Sequence, residues 1–133
     1  MEFITVEQFK EQPKEVQKVF LNWWKCEPFN IYAWCWNLKD NKWSIESCCN
    51  QIQADTINKG KTIGNIIPLF TEGELRKFIE DKTGGKVDSS FGGKTYTVYS
   101  NKDFGLIIKM YEDIDSDLLQ AYWKVACMVA KEG

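Results

Sequence analysis

The residues with the most evident capacity for chemistry lie in the acidic segment Glu112–Asp117. Its alternating aspartates have the spacing that opens a calcium-binding loop. However, Leu118 occupies the position that requires glycine, and Lys124 occupies that of the bidentate glutamate. Two interpretations remain, a group of carboxylates that stabilises the positive end of a helix and a negative surface that docks on a basic protein surface. The carboxylates concerned are Glu112, Asp113, Asp115 and Asp117.

Other catalytic groups are scarce. The sequence has no histidine, the commonest base for a serine or cysteine nucleophile, and it contains no phosphate loop, dinucleotide fingerprint or zinc-protease motif. The five cysteines are odd in number, include a vicinal pair and show no C-x-x-C spacing, so we expect reduced thiols without disulfides or zinc. They are Cys26, Cys35, Cys48, Cys49 and Cys127. We therefore predict that the chain is not an enzyme and uses no cofactor.

The charge and composition of the chain limit the classes of partner that it can bind. The formal net charge is −2, and Arg76 is the only arginine among 17 basic residues. Direct binding of nucleic acid is disfavoured, because it requires a basic surface and is helped by bidentate arginines. No segment is long and apolar enough to span a bilayer, and the first residues do not read as a secretion signal. We expect a protein of the bacterial host cytoplasm without membrane contact.

Aromatic residues are the most unusual feature of the composition. Five of the six tryptophans lie between Trp23 and Trp43, and tryptophan is enriched at binding hot spots. The segment Ile31–Leu38 alternates as a strand but is largely apolar on both faces. Either helices cover both faces, or one face meets a partner or a second copy of the chain. Trp24 lies about 100° around a helix from Trp23, so we expect it to be partly exposed.

The aromatic segment and the acidic segment together define the predicted contact residues. We predict partner binding through Trp24, Tyr32, Trp34, Trp36, Trp43, Glu112, Asp113, Asp115 and Asp117. Each set also has the structural explanation given above, either core packing or helix capping.

The elements that position these residues begin with helices. Thr5–Gln8 has the spacing of a capping box, which opens a short first helix. Pro13 suits the first position of a second helix. Cys48 to Thr56 shows helical spacing and predicts a third helix that ends near Gly60, with preceding serines as caps.

A hairpin is predicted between the second and third helices. Asp40-Asn41 is suited to a two-residue turn. Such a turn places Leu38 opposite Trp43 and Trp36 opposite Ile45, which makes a tryptophan-rich hairpin.

The second half starts with Thr62–Phe70, which is interpreted as an apolar connector or short strand. Thr71–Glu74 forms a second capping box, and the helix that it opens is expected to end at Gly84. Arg76 and Glu80 are expected to pair on the outside of this helix.

Three strands and a last helix complete the chain. The strands are separated by glycine and asparagine turns that favour an antiparallel meander. They are predicted at Lys86–Phe91, Thr95–Ser100 and Phe104–Tyr111, and the helix is predicted to begin near Asp115. The fold class is therefore α+β, with a hairpin and a three-stranded meander packed with about four helices. We expect one compact domain over 1–133, with a degenerate duplication into 1–61 and 62–133 as the alternative.

Two stretches carry a family resemblance. The segments IPLFTEGELRKFIEDKTGGK at 67–86 and DLLQAYWKVA at 117–126 resemble small uncharacterised proteins encoded by phages and prophages of low-GC Gram-positive bacteria. The lysine, asparagine and isoleucine bias of the chain agrees with such a source. The resemblance brings no catalytic or binding motif. It implies, by analogy with other small acidic phage proteins, an inhibitor of host defence such as an anti-CRISPR protein.

The sequence therefore predicts a non-catalytic phage accessory protein that binds and inhibits a host or defence protein, such as a CRISPR nuclease or another nucleic-acid-binding enzyme. One alternative is a structural or regulatory module that self-associates through the hairpin as a homodimer. The other is a sponge for a small molecule or nucleotide signal with an aromatic pocket.

Overall fold

The computed structural model describes residues 2–61, 64–102 and 106–132 and shows an α+β protein. These residues form five helices and two antiparallel three-stranded sheets, which confirms the predicted class with its hairpin and meander. The chain divides into two compact units. Thr5–Phe70 forms one, termed the insertion unit, and Met1–Ile4 with Thr71–Gly133 forms the other, termed the split unit. The single domain over 1–133, and its alternative division after residue 61, stay predictions.

The insertion unit opens as its local sequence predicts. The Gln8 backbone N–H donates to the Thr5 hydroxyl over 3.1 Å, and the Thr5 N–H donates to the Gln8 side chain over 3.0 Å. This capping box starts the first helix, and the second begins directly after Pro13. The elements of the unit are α1 (Val6–Lys10), α2 (Lys14–Trp23), β1 (Ile31–Trp34), β2 (Ser44–Ser47), α3 (Gln51–Gly60) and β3 (Ile66–Pro68).

Aromatic rings form part of the core of the insertion unit. The ring of Phe20 lies 6.2 Å from that of Phe9 and 5.5 Å from that of Phe70, measured between centroids. Trp23 adds a further ring 6.0 Å from Phe70. Since Phe9, Phe20 and Phe70 are buried, these contacts join both short helices to the segment that follows β3.

The sheet of the insertion unit has the order β2-β1-β3. The predicted hairpin forms between β1 and β2. Its predicted register is wrong, because Trp34 pairs with Ser44 and the two strands end at this pair. The strand interpretation of Thr62–Phe70 is confirmed for Ile66–Pro68, which pairs antiparallel with β1, whereas Thr62 and Ile63 lie outside the described residues.

The third helix starts later than predicted. Strand β2 continues to Ser47, and the Asn50 side chain then accepts a hydrogen bond from the Gln53 N–H over 2.9 Å. Asn50 is therefore the cap, in place of the predicted serines, and the helix ends at Gly60 as expected.

The split unit also begins with predicted features. Thr71 and Glu74 form the second capping box, and Gly84 ends the helix with a φ of 74°. Phe3 forms an isolated antiparallel bridge with Thr71. The elements are α4 (Glu72–Thr83), β4 (Lys86–Gly92), β5 (Thr95–Asn101), β6 (Ile107–Asp115) and α5 (Leu118–Glu132).

The last strand and last helix differ from prediction at their ends. The predicted strand start at Phe104 and the adjoining Asp103 lie outside the described residues, and the strand runs on to Asp115. Helix α5 therefore begins at Leu118 and not near Asp115. The two helices of the unit pack on each other and on the β4-β5-β6 sheet, where Val87, Val98 and Tyr111 are buried.

Arg76 and Glu80 do not form the predicted ion pair. The Arg76 guanidinium donates to the Val87 carbonyl over 3.1 Å, and the Glu80 carboxylate accepts from the Val87 N–H over 3.0 Å. Both side chains thus bind the backbone of one β4 residue, which fixes this strand to α4. The only arginine of the chain also lies over the Tyr122 ring, 6.0 Å from its centroid, and so has a structural role.

Candidate functional site

The segment that was predicted to complete the aromatic hairpin forms a loop. Residues 35–43, termed the aromatic loop, connect β1 to β2. The Asn37 carbonyl accepts from the Asp40 N–H, and the Asn37 side chain accepts from the Lys39 N–H, each over 3.0 Å. These turn hydrogen bonds end the extended backbone at this point. Trp36 and Leu38 therefore lie in the loop and have no opposite partner on β2.

Hydrogen bonds hold both ends of the aromatic loop. At the first end, the Cys35 N–H donates to the Asn65 carbonyl over 3.0 Å. At the other end, the Asn41 side chain accepts from the Trp43 indole over 3.0 Å and from Lys10 Nζ over 2.6 Å. Lys10 also lies 5.4 Å from the Trp43 ring centroid. The loop is anchored to the strands and to α1, which reduces the entropy that binding would cost.

Trp36 is the most exposed tryptophan of the aromatic loop. Its relative exposure is 88%, and Leu38 beside it is also exposed. The Trp36 ring meets the half-buried Trp34 ring edge to face, with centroids 5.1 Å apart and planes at 69°. An exposed indole supported from one side by another ring has the character of a hot-spot anchor, since burying it on a partner removes a large apolar area from water.

Tyr32 is buried and serves the interior of the insertion unit. Its hydroxyl donates to the Glu46 carboxylate over 3.1 Å and accepts from the Gln53 amide over 2.8 Å. Burial and the neighbouring Glu46 carboxylate raise the pKa of Tyr32 to about 12. Of the predicted aromatic contact residues, Tyr32 thus lies in the core, Trp34 and Trp43 are half-buried, and Trp36 is exposed.

Trp24 is buried, with a relative exposure of 2%. The prediction that it is partly exposed is therefore wrong. The prediction assumed that helix α2 continues through it. The helix ends at Trp23, and Trp24 has an extended backbone with φ −67° and ψ 126°. The ψ value redirects only the chain that follows, because φ is helical and the Trp24 N–H still donates to the Phe20 carbonyl over 2.8 Å. The side chain therefore keeps the helical direction at the edge of the apolar stripe, and it is buried by packing that the helical rotation alone does not describe. Its carbonyl accepts a hydrogen bond from Lys61 Nζ, whose pKa is lowered by burial.

Two aspartates of the acidic segment are engaged in hydrogen bonds with nearby residues. Asp117 accepts from the Gln120 N–H over 3.0 Å, and so caps α5. Asp115 accepts from the Asp117 N–H over 2.9 Å and from Lys124 Nζ over 2.7 Å. The Lys124 hydrogen bond, together with the backbone N–H of Asp117, lowers the pKa of Asp115. The capping interpretation is therefore observed for Asp117, whereas Asp115 is held by the backbone just before α5 and by a lysine of that helix.

The first two acidic residues face outward. Asp113 accepts from the Thr95 hydroxyl over 3.1 Å and has a φ of 50°, while both it and Glu112 are exposed. Within the described part of the chain, Glu112 makes no side-chain hydrogen bond or ion pair. These two carboxylates form the part of the acidic segment that is open to a partner.

Sequence reasoning missed an apolar stretch at the start of β6. Four side chains of this stretch are exposed, those of Leu106, Ile107, Ile108 and Met110. The sequence did contain a signal, because three consecutive apolar residues break the alternation expected of a strand with one wet face.

The nucleophilic and metal-ligating side chains are dispersed. Cys49 is exposed, the four other cysteines are buried, and burial raises the pKa of Cys127 to about 12. No group of three or more cysteine, aspartate or glutamate side chains within residues 2–61, 64–102 and 106–132 is placed to hold a metal ion. In those same ranges, no helix has the length and apolarity needed to cross a bilayer.

The comparisons with known proteins give no relative. No family model matches the chain, and no curated protein or solved structure matches it either. The geometry of the aromatic loop and of the exposed carboxylates is therefore the ground for a functional proposal.

Proposed function

We propose that this chain is a non-catalytic phage accessory protein that binds and inhibits a host or defence protein, with the aromatic loop as its contact surface. The observation that carries the proposal is Trp36, an indole with 88% exposure in a loop whose two ends are held by hydrogen bonds. Leaving such a ring in water forgoes stabilisation that a core position or a partner would provide.

The chemistry of the loop indicates what its partner offers. Trp36 and Leu38 present apolar area, and Lys39 and Lys42 are exposed next to them. A complementary surface has an apolar pocket for the indole with a carboxylate at its rim. A CRISPR nuclease is one candidate, in which case binding would block a moving part or the DNA channel.

The test is capture from a lysate of a low-GC Gram-positive bacterium, followed by an activity assay on the captured protein. We expect Trp36→Ala to weaken capture by about 30-fold or more, which corresponds to a hot-spot loss of about 2 kcal/mol. Ile52→Ala is the matched control, since Ile52 is equally apolar, 79% exposed and lies on α3. For a captured nuclease, DNA cleavage should fall with the wild-type chain and recover with Trp36→Ala.

Other outcomes would count against the proposal. A set of captured proteins that is unchanged by Trp36→Ala would refute the aromatic loop as the contact surface. A small molecule retained through purification and identified by mass spectrometry would favour the sponge. The open cleft of about 310 Å³ beside Lys10 and Trp43 would then be the first place to examine.

A further inference from the structure

A cleft of about 310 Å³ lies between α1 and the aromatic loop. Its walls combine an aromatic ring, an amide and charged side chains. The residues that line it are Val6, Glu7, Lys10, Glu11, Asn41 and Trp43. All of them belong to the insertion unit, so the geometry of the cleft depends on one compact unit alone.

An ammonium group already sits in this cleft. Lys10 Nζ lies 5.4 Å from the centroid of the Trp43 ring and donates to the Asn41 side-chain oxygen over 2.6 Å. The face of an aromatic ring attracts a cation, because its quadrupole is negative there, and the oxygen adds a directional hydrogen bond. The chain's own lysine therefore shows which chemical group the cleft stabilises, an alkylammonium.

The acceptor for that group is held independently of Lys10. The same Asn41 oxygen accepts from the Trp43 indole N–H over 3.0 Å. This hydrogen bond keeps the oxygen beside the ring when Lys10 moves away. Another ammonium can then use both the ring and the oxygen without ordering them first.

The charge of the cleft favours a further cation. Glu7 and Glu11 line it four residues apart, and both are exposed. Within the part of the chain that the structure describes, neither carboxylate makes a hydrogen bond or an ion pair. Lys10 directs its ammonium to Asn41 and Trp43 instead. The lining therefore carries one more negative charge than Lys10 balances.

We propose that this cleft binds an alkylammonium group from outside the chain, which takes the place of Lys10 over Trp43. In the free protein Lys10 is an intramolecular occupant that the ligand has to displace. The apparent dissociation constant is then the intrinsic one divided by the fraction of time for which Lys10 leaves the ring. The site goes beyond the proposed function and its test needs no partner protein, so each can fail without the other.

The test is a titration of the ¹⁵N-labelled chain with butylamine near neutral pH and at constant ionic strength, followed by NMR. The indole N–H signal of Trp43 is the readout, and it is assigned as the one that is missing from Trp43→Phe. We expect this signal to shift on titration. Butan-1-ol, which has the same shape without the charge, should leave it in place.

The decisive variant is Lys10→Met, which keeps an apolar stem and removes the ammonium. We expect it to bind butylamine about fivefold more tightly than the wild type, as follows if Lys10 occupies the ring about four-fifths of the time. Lys59→Met is the matched control, since it changes the net charge equally at an exposed position of α3, and it should bind like the wild type. Lys10→Gln repeats the test with a polar side chain, and dispersed amide signals must show that each variant is folded.

Two results would overturn the proposal. One is a Lys10→Met chain that binds butylamine no more tightly than Lys59→Met. The other is butan-1-ol binding as tightly as butylamine, which would make the cleft merely apolar. Glu7→Gln combined with Glu11→Gln is expected to weaken butylamine binding about threefold or more, and unchanged binding would refute the role of the two carboxylates.

A second titration identifies the source of the ammonium. N-acetyl-lysine methylamide carries the same group on a blocked peptide unit. Tighter binding of this compound than of butylamine would assign the ligand to a lysine side chain of a protein. Tighter binding of butylamine would assign it to a free aliphatic amine.

Discussion

The buried indole of Trp24 gives a quantitative test of which tryptophans belong to the core. The ring is 2% exposed, and its Nε1 has no hydrogen-bond partner among the described residues. Trp24→Phe removes this unpaired donor and part of the ring. The lost burial costs about 1 kcal/mol, while removing an unpaired buried donor recovers about 1–3 kcal/mol. We therefore expect the free energy of unfolding to change by less than about 1 kcal/mol, the residual cavity offsetting part of the gain.

Trp24→Ala removes the whole ring and leaves a cavity. The expected loss is about 3–5 kcal/mol. At the exposed Trp36, by contrast, both the phenylalanine and the alanine variants should stay within about 1 kcal/mol of the wild type, since the only ring contact that is lost is the one with Trp34. The alanine variants thus distinguish the two tryptophans, because only Trp24→Ala is expected to cause a large loss.

The assay is equilibrium unfolding in urea followed by far-UV circular dichroism. Tryptophan fluorescence is less suitable, because the chain has six tryptophans and each variant removes one. Equal m-values across the variants would show that the change lies in stability. A loss above about 3 kcal/mol for Trp24→Phe would refute the reasoning, since it would mean that the indole N–H is paired in the folded state.

Three further predictions concern the glycines, the acidic segment and the thiols. Gly85→Ala should cost about 2 kcal/mol or more in urea unfolding, because its Cβ would lie 2.6 Å from the Asn101 carbonyl oxygen. Gly73→Ala, whose Cβ meets nothing within 4 Å in α4, should instead stabilise by about 0.5 kcal/mol. The pKa of Asp115 is lowered from its ordinary value of 3.8 by the Lys124 hydrogen bond. The ionised carboxylate therefore stabilises the folded chain above pH 3.8, and this contribution is lost as the pH falls below that value. The stability advantage of the wild type over Asp115→Asn, measured by urea unfolding, should therefore shrink at low pH, and an advantage that grows would contradict this. Iodoacetamide should modify Cys49 alone in the folded protein and all five cysteines in denaturant, as read by intact mass, and a native adduct that persists in Cys49→Ser would contradict the burial of the others.

Features set by neighbouring residues could be predicted from the sequence. The capping boxes at Thr5 and Thr71 depend on a side chain and a backbone group three residues apart, and both formed. Gly84 stops α4 because it adopts a positive φ that other residues resist. The meander follows from turn residues that lie between its strands. In each case, the information is contained in a few consecutive residues.

Features set by distant contacts, or by the choice between two local turns, could not be predicted in this way. The Asn37 turn competes with the Asp40-Asn41 turn, and it decides whether Trp36 lies in a strand or a loop. Pairing of Ile66–Pro68 with β1 joins segments more than thirty residues apart. Trp24 was misplaced because helical periodicity gives the direction of a side chain but not which other segments of the chain cover it. The exposure of Ile108 depends on which strands occupy the sheet edges.

The division of the chain has a consequence for the order of folding during synthesis. The insertion unit is one continuous segment, Thr5–Phe70, whereas the split unit needs Met1–Ile4 together with residues that follow Phe70. Domains fold as they leave the ribosome, from the N-terminal side first. The insertion unit can therefore finish while β4, β5, β6 and α5 are still being made. Phe3 has to wait for Thr71 before its bridge can form, so residues that are translated before the insertion unit reach their native positions after it.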